Sequence, residues 1–368
     1  MVTLPGLVGR TSAQDATVKI GMCAPNTGAA AEAGRNAQIG AKLAVGTVNR
    51  AGGVLGKQVE LIVEDDQTTN PGTVLAFSKL GSQTDIVAFI GSIRSTQIHA
   101  MAPDVLKVGK PVMIGGTDPA LTHMGNPWLF RCRPNDSYSG SVIAEFGVNA
   151  LAKKKWAIVH STDAFGTAGG KALTAALGKI DGVSIALDQG YANQSQDFTP
   201  VVLAIKQSGA DILGSYMTFE GDLGLFARQL RQLGVAIPYI GSAAIVAPTA
   251  MRLAGPALFG TFGVTDFAED SSANSKAFGK AYREVAKTAP DLASAWTYDA
   301  ITVLCLAINK AGKTDPMAIR EAILAIRKYP GVDGEFNFDA NGDGLRGYNI
   351  VKNEDGTIVF IRHIEATS

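Results

Sequence analysis

The side chains best placed to do chemistry are Ser95 and Thr117, because each stands in a loop of small residues just after a short apolar run. Residues 86–90, IVAFI, are apolar and β-branched enough for a buried strand, and Gly91-Ser92 then turns the chain. Ser95 and Thr96 occupy the N-cap region of a helix that ends near 107–109. A second apolar run at 111–114 leads into Gly115-Gly116-Thr117-Asp118-Pro119. Two neighbouring parallel strands would bring both loops to one sheet edge, where open α/β sheets hold ligands. A helix N-terminus at Ser95 offers unpaired N–H groups and partial positive charge, which favour an anion. Gly115 and Gly116 let a ligand approach the backbone, and Thr117 adds a hydroxyl. That is the chemistry of a small-molecule carboxylate site. The same residues would also serve two ordinary capped βα turns with no ligand.

The elements that must position these loops alternate along the chain. Residues 18–24 read as a first strand, a loop with Gly28 and Gly34 follows, and an amphipathic helix covers 36–50. Strand 59–64, a loop through Asn70-Pro71-Gly72 and helix 73–81 lead to the strand at 86–90. The alternation restarts after Pro134, with helix 136–151, strand 156–160, a loop at 163–166 and helix 167–179. Strand 183–188, helix 198–207, strand 212–216, helix 221–233 and strand 239–241 complete a second series of similar size. Such alternation is the pattern of βαβ units around a parallel sheet. The fold class is therefore α/β: two doubly wound three-layer lobes with a cleft between them. The later helices and the hairpin-like end are too few for a third domain and must complete lobes begun earlier. The expected division is 17–134 with 265–345 for one lobe, and 135–264 with 346–368 for the other, after a leader at 1–16.

Composition removes several function classes. The chain has 368 residues, 46% of them hydrophobic and 18% charged, which suits a well-cored globular protein. Acidic and basic residues balance at 33 each, so no bulk field draws it to nucleic acid or an anionic membrane. No segment reaches the roughly 18 continuous apolar residues of a membrane span. Cys23, Cys132 and Cys305 lie far apart in the sequence and read as buried free thiols, not as metal ligands or a disulfide framework. The first fourteen residues resemble the end of a secretory signal, with a cleavage-like Ser-Ala-Gln before Asp15; the alternative is a disordered cytoplasmic leader.

Other motifs fail on chemistry. In GTAGGK, 166–171, Phe165 occupies the place of the first glycine of a phosphate loop, and Ala172 that of its Ser or Thr. Asp339 to Gly344 resembles the start of a calcium loop, but the twelfth position is Ile350 instead of Glu, so a tight turn is expected. His99, His123, His160 and His363 share no metal spacing. His160 and Asp163 lack the G-x-S-x-G elbow of a serine nucleophile. No cofactor, metal or catalytic residue is assigned.

Taken in order, VKIGMCAPNTG, NRAGGVLGKQVELIVEDDQTTNP, FIGSIRST, GGTDPALT, TDAFGTAGGKAL and TYDAITVL resemble periplasmic solute-binding proteins of the branched-chain amino-acid type. The resemblance runs from Val18 to Ile361 and implies a type I binding protein, two α/β lobes joined by three crossovers. It also implies a monomer, exported to the periplasm, that closes on its ligand and delivers it to the transmembrane subunits of an ABC permease. Ser95, Gly115, Gly116 and Thr117 would hold the ligand carboxylate, and Phe165 and Phe219 would cover its apolar part from the second lobe. Arg94 either pairs with an acid or points to solvent. Two positions depart from the pattern: Ala33 replaces an aromatic, and Ala243 falls where amino-acid binders carry an acid for the ammonium group. A buried ammonium needs such a partner. Either Glu220, Asp222 or Asp118 supplies it, or the ligand is an amine-free acid such as an aromatic carboxylate. A cytoplasmic ligand sensor on the same fold and an α/β enzyme are the other readings.

Overall fold

A computed structural model of the protein describes residues 17–365; the leader expected at 1–16 lies outside the described residues. The first sheet is built from β1 (Val18–Ala24), β2 (Val59–Asp65), β3 (Ile86–Ile90), β4 (Val112–Ile114) and β5 (Leu129–Arg131). These strands are parallel and lie in the order β2-β1-β3-β4-β5, so the chain reverses its winding between β1 and β3. α1 (Ala31–Arg50), α2 (Asn70–Gly81), α3 (Ser95–Val108) and the short α4 (Ala120–His123) connect them.

The second sheet has seven strands. β6 (Lys155–Ser161), β7 (Ser184–Tyr191), β8 (Ile212–Tyr216), β9 (Tyr239–Ser242) and β10 (Phe262–Thr265) run parallel, with α5 (Asp136–Glu145), α6 (Ala164–Leu177), α7 (Thr199–Ser208), α8 (Glu220–Gln232) and α9 (Pro248–Ala254) around them. The chain then returns to the first lobe as α10 (Ala273–Ala286), α11 (Leu292–Ala311), α12 (Pro316–Leu324) and a minimal hairpin of β11 (Tyr329–Pro330) and β12 (Glu335–Phe336). Finally β13 (Gly347–Glu354) and β14 (Thr357–Glu365) add antiparallel edges to the second sheet, whose order is β14-β13-β10-β9-β8-β6-β7.

α11 organises the first lobe. It is long and apolar enough by composition to cross a membrane, yet it is mostly buried, packed against α1 and α12 and next to β3 and β4. Asp291 and Ser294 form a reciprocal capping box at its start, satisfying N–H groups that would otherwise lack acceptors. Thr297 donates its hydroxyl to the Ala37 carbonyl of α1 at 2.7 Å, and Gly40 lets the two helices touch, since a Cβ there would lie 2.0 Å from the Ser294 oxygen. Gly40→Ala is therefore expected to destabilise the protein by about 1–3 kcal/mol in denaturant titrations. The roughly 1 kcal/mol that alanine gains in helix propensity does not offset the overlap. An unchanged midpoint would show that α1 and α11 can separate at no cost.

Several element boundaries differ from the sequence reading. α1 begins at Ala31 instead of 36, because the alanine-rich start outweighs Gly34 inside the helix. α2 begins at Asn70: Thr69 accepts from the Gly72 N–H, and Pro71 fills a first-turn position that needs no N–H. α6 begins at Ala164 with Asp163 as its cap, so Phe165 sits in a helix and not in a loop. α5 ends at Glu145 and continues as a π-helical turn over Phe146–Ala150. The Asp339 loop is a tight turn in which its carboxylate accepts the N–H groups of Asn341 and Asp343. Among the described residues, no group of three or more His, Cys, Asp or Glu is arranged to hold a metal. All three cysteines are free and buried.

Candidate functional site

The strand order places the C-terminal ends of β3 and β4 side by side and turns them toward the second sheet. A cavity of about 350 Å³ lies there between the lobes, within the range of small-molecule sites. Ser95, Thr96, Arg94 and Thr117 line it from the first lobe, and Phe165, Phe219, Glu220 and Ala243 from the second.

The Ser95 loop is shaped by Ser92, whose hydroxyl accepts the Arg94 N–H and bonds the Gln97 side chain. Arg94, not Ser95 or Thr96, is the N-cap of α3, and it gives no side-chain cap. The first-turn N–H groups of Ser95 and Thr96 consequently have no acceptor among the described residues, and nor does the N–H of Thr117. Ser95 Oγ accepts the Asp118 N–H at 3.2 Å, which ties the two loops together and leaves its own proton free. Gly116 permits this approach, because a Cβ there would stand 3.2 Å from the Ser95 Cα. The wall so formed is a set of N–H and O–H donors at a helix N-terminus, suited to a carboxylate.

Beneath it lie two buried arginines. Arg131 is fully buried; its Nε donates to Asp343 at 2.7 Å and its Nη1 to the carbonyls of Gly116 and Asp118 at 2.9 and 2.8 Å. Arg133 donates twice to Asp266, at 2.5 and 2.9 Å, and once to the Gly115 carbonyl at 3.1 Å. Asp266 and Asp343 come from the segments in which the chain passes between lobes, so the same bonds tie those passages to the loop at 115–118. The neighbouring Asp266 holds the Arg133 guanidinium further toward its charged form, against the effect of burial.

Contacts bridge the cleft. The Arg94 guanidinium stacks 4.4 Å above the Phe219 ring, donates to the Thr218 carbonyl at 3.1 Å and lies 4.0 Å from Glu220. Thr96 Oγ1 accepts the Ala164 N–H at 3.3 Å, and Arg252 pairs with Glu32 at 2.7 Å. Arg94 thus points across the cleft and not to solvent.

Some expected residues fall elsewhere. Gly115 and Gly116 lie behind the wall, with their carbonyls committed to the two arginines. Asp118 turns its carboxylate to His99 at 2.7 Å, away from the cavity. Asp222 accepts the Gln194 N–H at 2.8 Å, and burial pushes its carboxyl up to about 6. Of the three acids considered as ammonium partners, only Glu220 reaches the cavity. Ala33 and Ala243 both line it, so neither position contributes a ring or a charge.

Sequence reasoning missed Asp136. It begins α5, where Asn135 supplies the cap, and nothing local marks it as a cavity residue. Its carboxylate accepts from Thr117 Oγ1 at 2.8 Å and from Ser139 Oγ at 3.1 Å. Burial pushes its carboxyl up to about 6, although those bonds and the Arg133 and Arg131 charges pull the other way. Asp163 and Asp291 also border the cavity, but both are engaged as helix caps.

The family model for periplasmic binding protein matches residues 17–357. The chain is 26% identical over 368 residues to the leucine-, isoleucine-, valine-, threonine- and alanine-binding protein of Pseudomonas aeruginosa, covering 100% of this chain and 95% of that protein. It is similar in fold to a leucine-binding protein from Thermotoga maritima, with a TM-score of 0.88 at 24% identity, over 95% of this chain and 99% of that one. A solute-binding protein of an ABC transporter from R. palustris, solved with benzoate, superposes with a TM-score of 0.82 at 21% identity, over 94% and 96% of the two chains. With its two α/β lobes, its inter-lobe cavity and a family match over nearly all the described residues, this chain belongs to the periplasmic binding protein family.

Proposed function

We propose that this protein is the solute-binding component of an ABC importer and captures a small organic acid between its lobes, without catalysis. The observation that carries this reading is the donor wall at Ser95, Thr96 and Thr117, facing the cavity at the start of α3. In this reading the carboxylate lies against that wall, and Phe165 and Phe219 cover the apolar part of the ligand. Arg94 closes the cleft over it. The protein works in the periplasm and hands its ligand to the permease's transmembrane subunits.

Branched-chain and related amino acids are the first ligand class, supported by the named specificity of the Pseudomonas aeruginosa relative. Amine-free aromatic acids are the second, favoured by the apolar side chain at Ala243 and by the benzoate in the R. palustris neighbour. A thermal-shift panel separates them. A ligand present at 100 times its Kd stabilises the folded state by about 2.7 kcal/mol and raises Tm accordingly. Leucine, valine and threonine are set against benzoate and hydroxybenzoates. A panel in which no carboxylate raises Tm would overturn the reading.

A further inference from the structure

A threonine hydroxyl carries one proton, and in this site it is already committed. Thr117 Oγ1 lies 2.8 Å from Asp136 Oδ2, and both residues line the cavity. An ionised carboxylate can only accept, so Thr117 must donate to it and show the ligand nothing but lone pairs. Ser95 is in the opposite condition, since it accepts the Asp118 N–H and keeps its proton for the cavity. A proton placed on Asp136 Oδ2, the oxygen that faces Thr117, reverses that bond. Asp136 then donates to Thr117 Oγ1, and the threonine proton turns toward the ligand. One proton behind the wall converts a ligand-facing acceptor into a donor.

We propose that Asp136, acting through Thr117, is the positioning residue that selects the ligand group held there: an ammonium when Asp136 is ionised, a carboxylate oxygen when it is protonated. The inference rests on the reading above that Ser95 holds the ligand carboxylate. It supplies the ammonium partner that Ala243 does not. It also links binding of either ligand class to a proton: an amine-free acid takes one up above pH 6, and an α-amino acid releases one below it.

The groups facing Asp136 agree with a proton that can come and go. Arg131 and Arg133 approach from β5 and the passage after it, but each already has its own carboxylate, Asp343 and Asp266. Tyr216 from β8 shares a hydrogen bond with Ser139, and Tyr348 from β13 donates to the Pro134 carbonyl, so neither neutralises Asp136. Thr117 and Ser139 are its direct partners. Arg94, Asp163, Glu220 and Asp291 line other parts of the same cavity. Burial places the titration near pH 6, since it pushes the carboxyl up to about 6.

The signs follow from linkage. An amine-free acid binds the protonated form, so its affinity is flat below pH 6 and falls about tenfold per unit above it. An α-amino acid binds the ionised form, so its affinity is flat above pH 6 and falls about tenfold per unit below it. Titration calorimetry with benzoate and with leucine at pH 5 and 7.5 reads both, because neither probe changes its main ionic form between these values. Benzoate is expected to bind about 30-fold more tightly at pH 5, and leucine about 10-fold more weakly. Each probe has a defined sign, so one that binds is enough to decide.

Asp136→Asn presents a permanent amide donor to Thr117. It is expected to abolish the pH slope, retain benzoate and lose leucine. Thr117→Val keeps the side-chain shape and the backbone N–H but removes the relay, and should flatten the slope even if Asp136→Asn fails to fold. A slope of the opposite sign, or an unchanged slope in both variants, overturns the proposal while leaving the carboxylate reading intact. Where neither probe binds, the pair is replaced by the amino acid and the amine-free acid that raise Tm most in the panel, and a panel with no such ligand overturns both readings.

Discussion

Asp343→Ala is expected to destabilise the protein by about 3–5 kcal/mol in chemical denaturation and to abolish the ligand-induced rise in Tm. Arg131 is fully buried, and Asp343 is its carboxylate partner at 2.7 Å. Removing that carboxylate leaves a guanidinium in the interior with only neutral acceptors, the carbonyls of Gly116, Asp118 and Pro119 and the Thr122 hydroxyl. The carboxylate also accepts from Thr122 and from Asn135 Nδ2, both at 3.0 Å, so three donors lose their partner together. The loop that presents Thr117 hangs from the same arginine, which is why binding should fail with stability. Asp343→Asn keeps the shape and one acceptor and should cost less. Replacing both partners by apolar residues should cost less than the single change, because the larger part of the penalty is the unpaired charge. A loss under about 1 kcal/mol for Asp343→Ala would mean that water reaches Arg131 and the pair does not hold the hinge.

Trp296→Ala is expected to cost about 3–5 kcal/mol and to weaken ligand binding. The ring is nearly fully buried in the core of the first lobe and supports the loop after β4; a Cβ on Gly115 would meet it at 2.9 Å. Alanine leaves a void directly under the backbone that carries Thr117, so the loss should appear in both Tm and affinity. The indole N–H has no partner among the described residues, so Trp296→Phe removes volume without orphaning an acceptor and should cost markedly less. Equal losses for alanine and phenylalanine would show that packing volume is not what the loop requires.

Asp136 bears on how ligand class is chosen. Buried carboxylates that face a cavity are where proton-linked binding arises, because desolvation disfavours the ion until a cation or donor arrives. The absent acid at Ala243 need not commit the protein to amine-free ligands, because a second acid stands one hydroxyl behind the wall.

Much of this architecture was legible in the chain. Apolar runs of strand length, small-residue loops and amphipathic stretches repeat with local periods, and each is read within about ten residues. Ser95 and Thr117 were legible for the same reason, since each follows its own strand by a few positions and β3 and β4 are neighbours in both sequence and sheet. The helix starts were less so. Asn70 and Ala164 depend on the caps Thr69 and Asp163, and Ala31 on an alanine-rich first turn, each competing with the turn preferences of Pro71, Gly166 and Gly34.

Tertiary structure decided what lies behind the wall and across the cleft. Arg131 meets Asp343 across 212 positions of sequence, Arg133 meets Asp266 across 133, and Arg94 reaches Thr218 across 124. No local period encodes such pairings. They exist because the chain passes repeatedly between the sheets and brings the passages together, and because a charge buried there must find its counterpart wherever the fold delivers one. Asp118 and Asp136 show the same division at short range. Both lie within twenty residues of Thr117 and either could have served the ligand, but the fold gave His99 to the first and the threonine hydroxyl to the second. Residue types and local spacing were enough to put Ser95 and Thr117 on neighbouring loops at one sheet edge; which acid group stands behind them follows only from the packing.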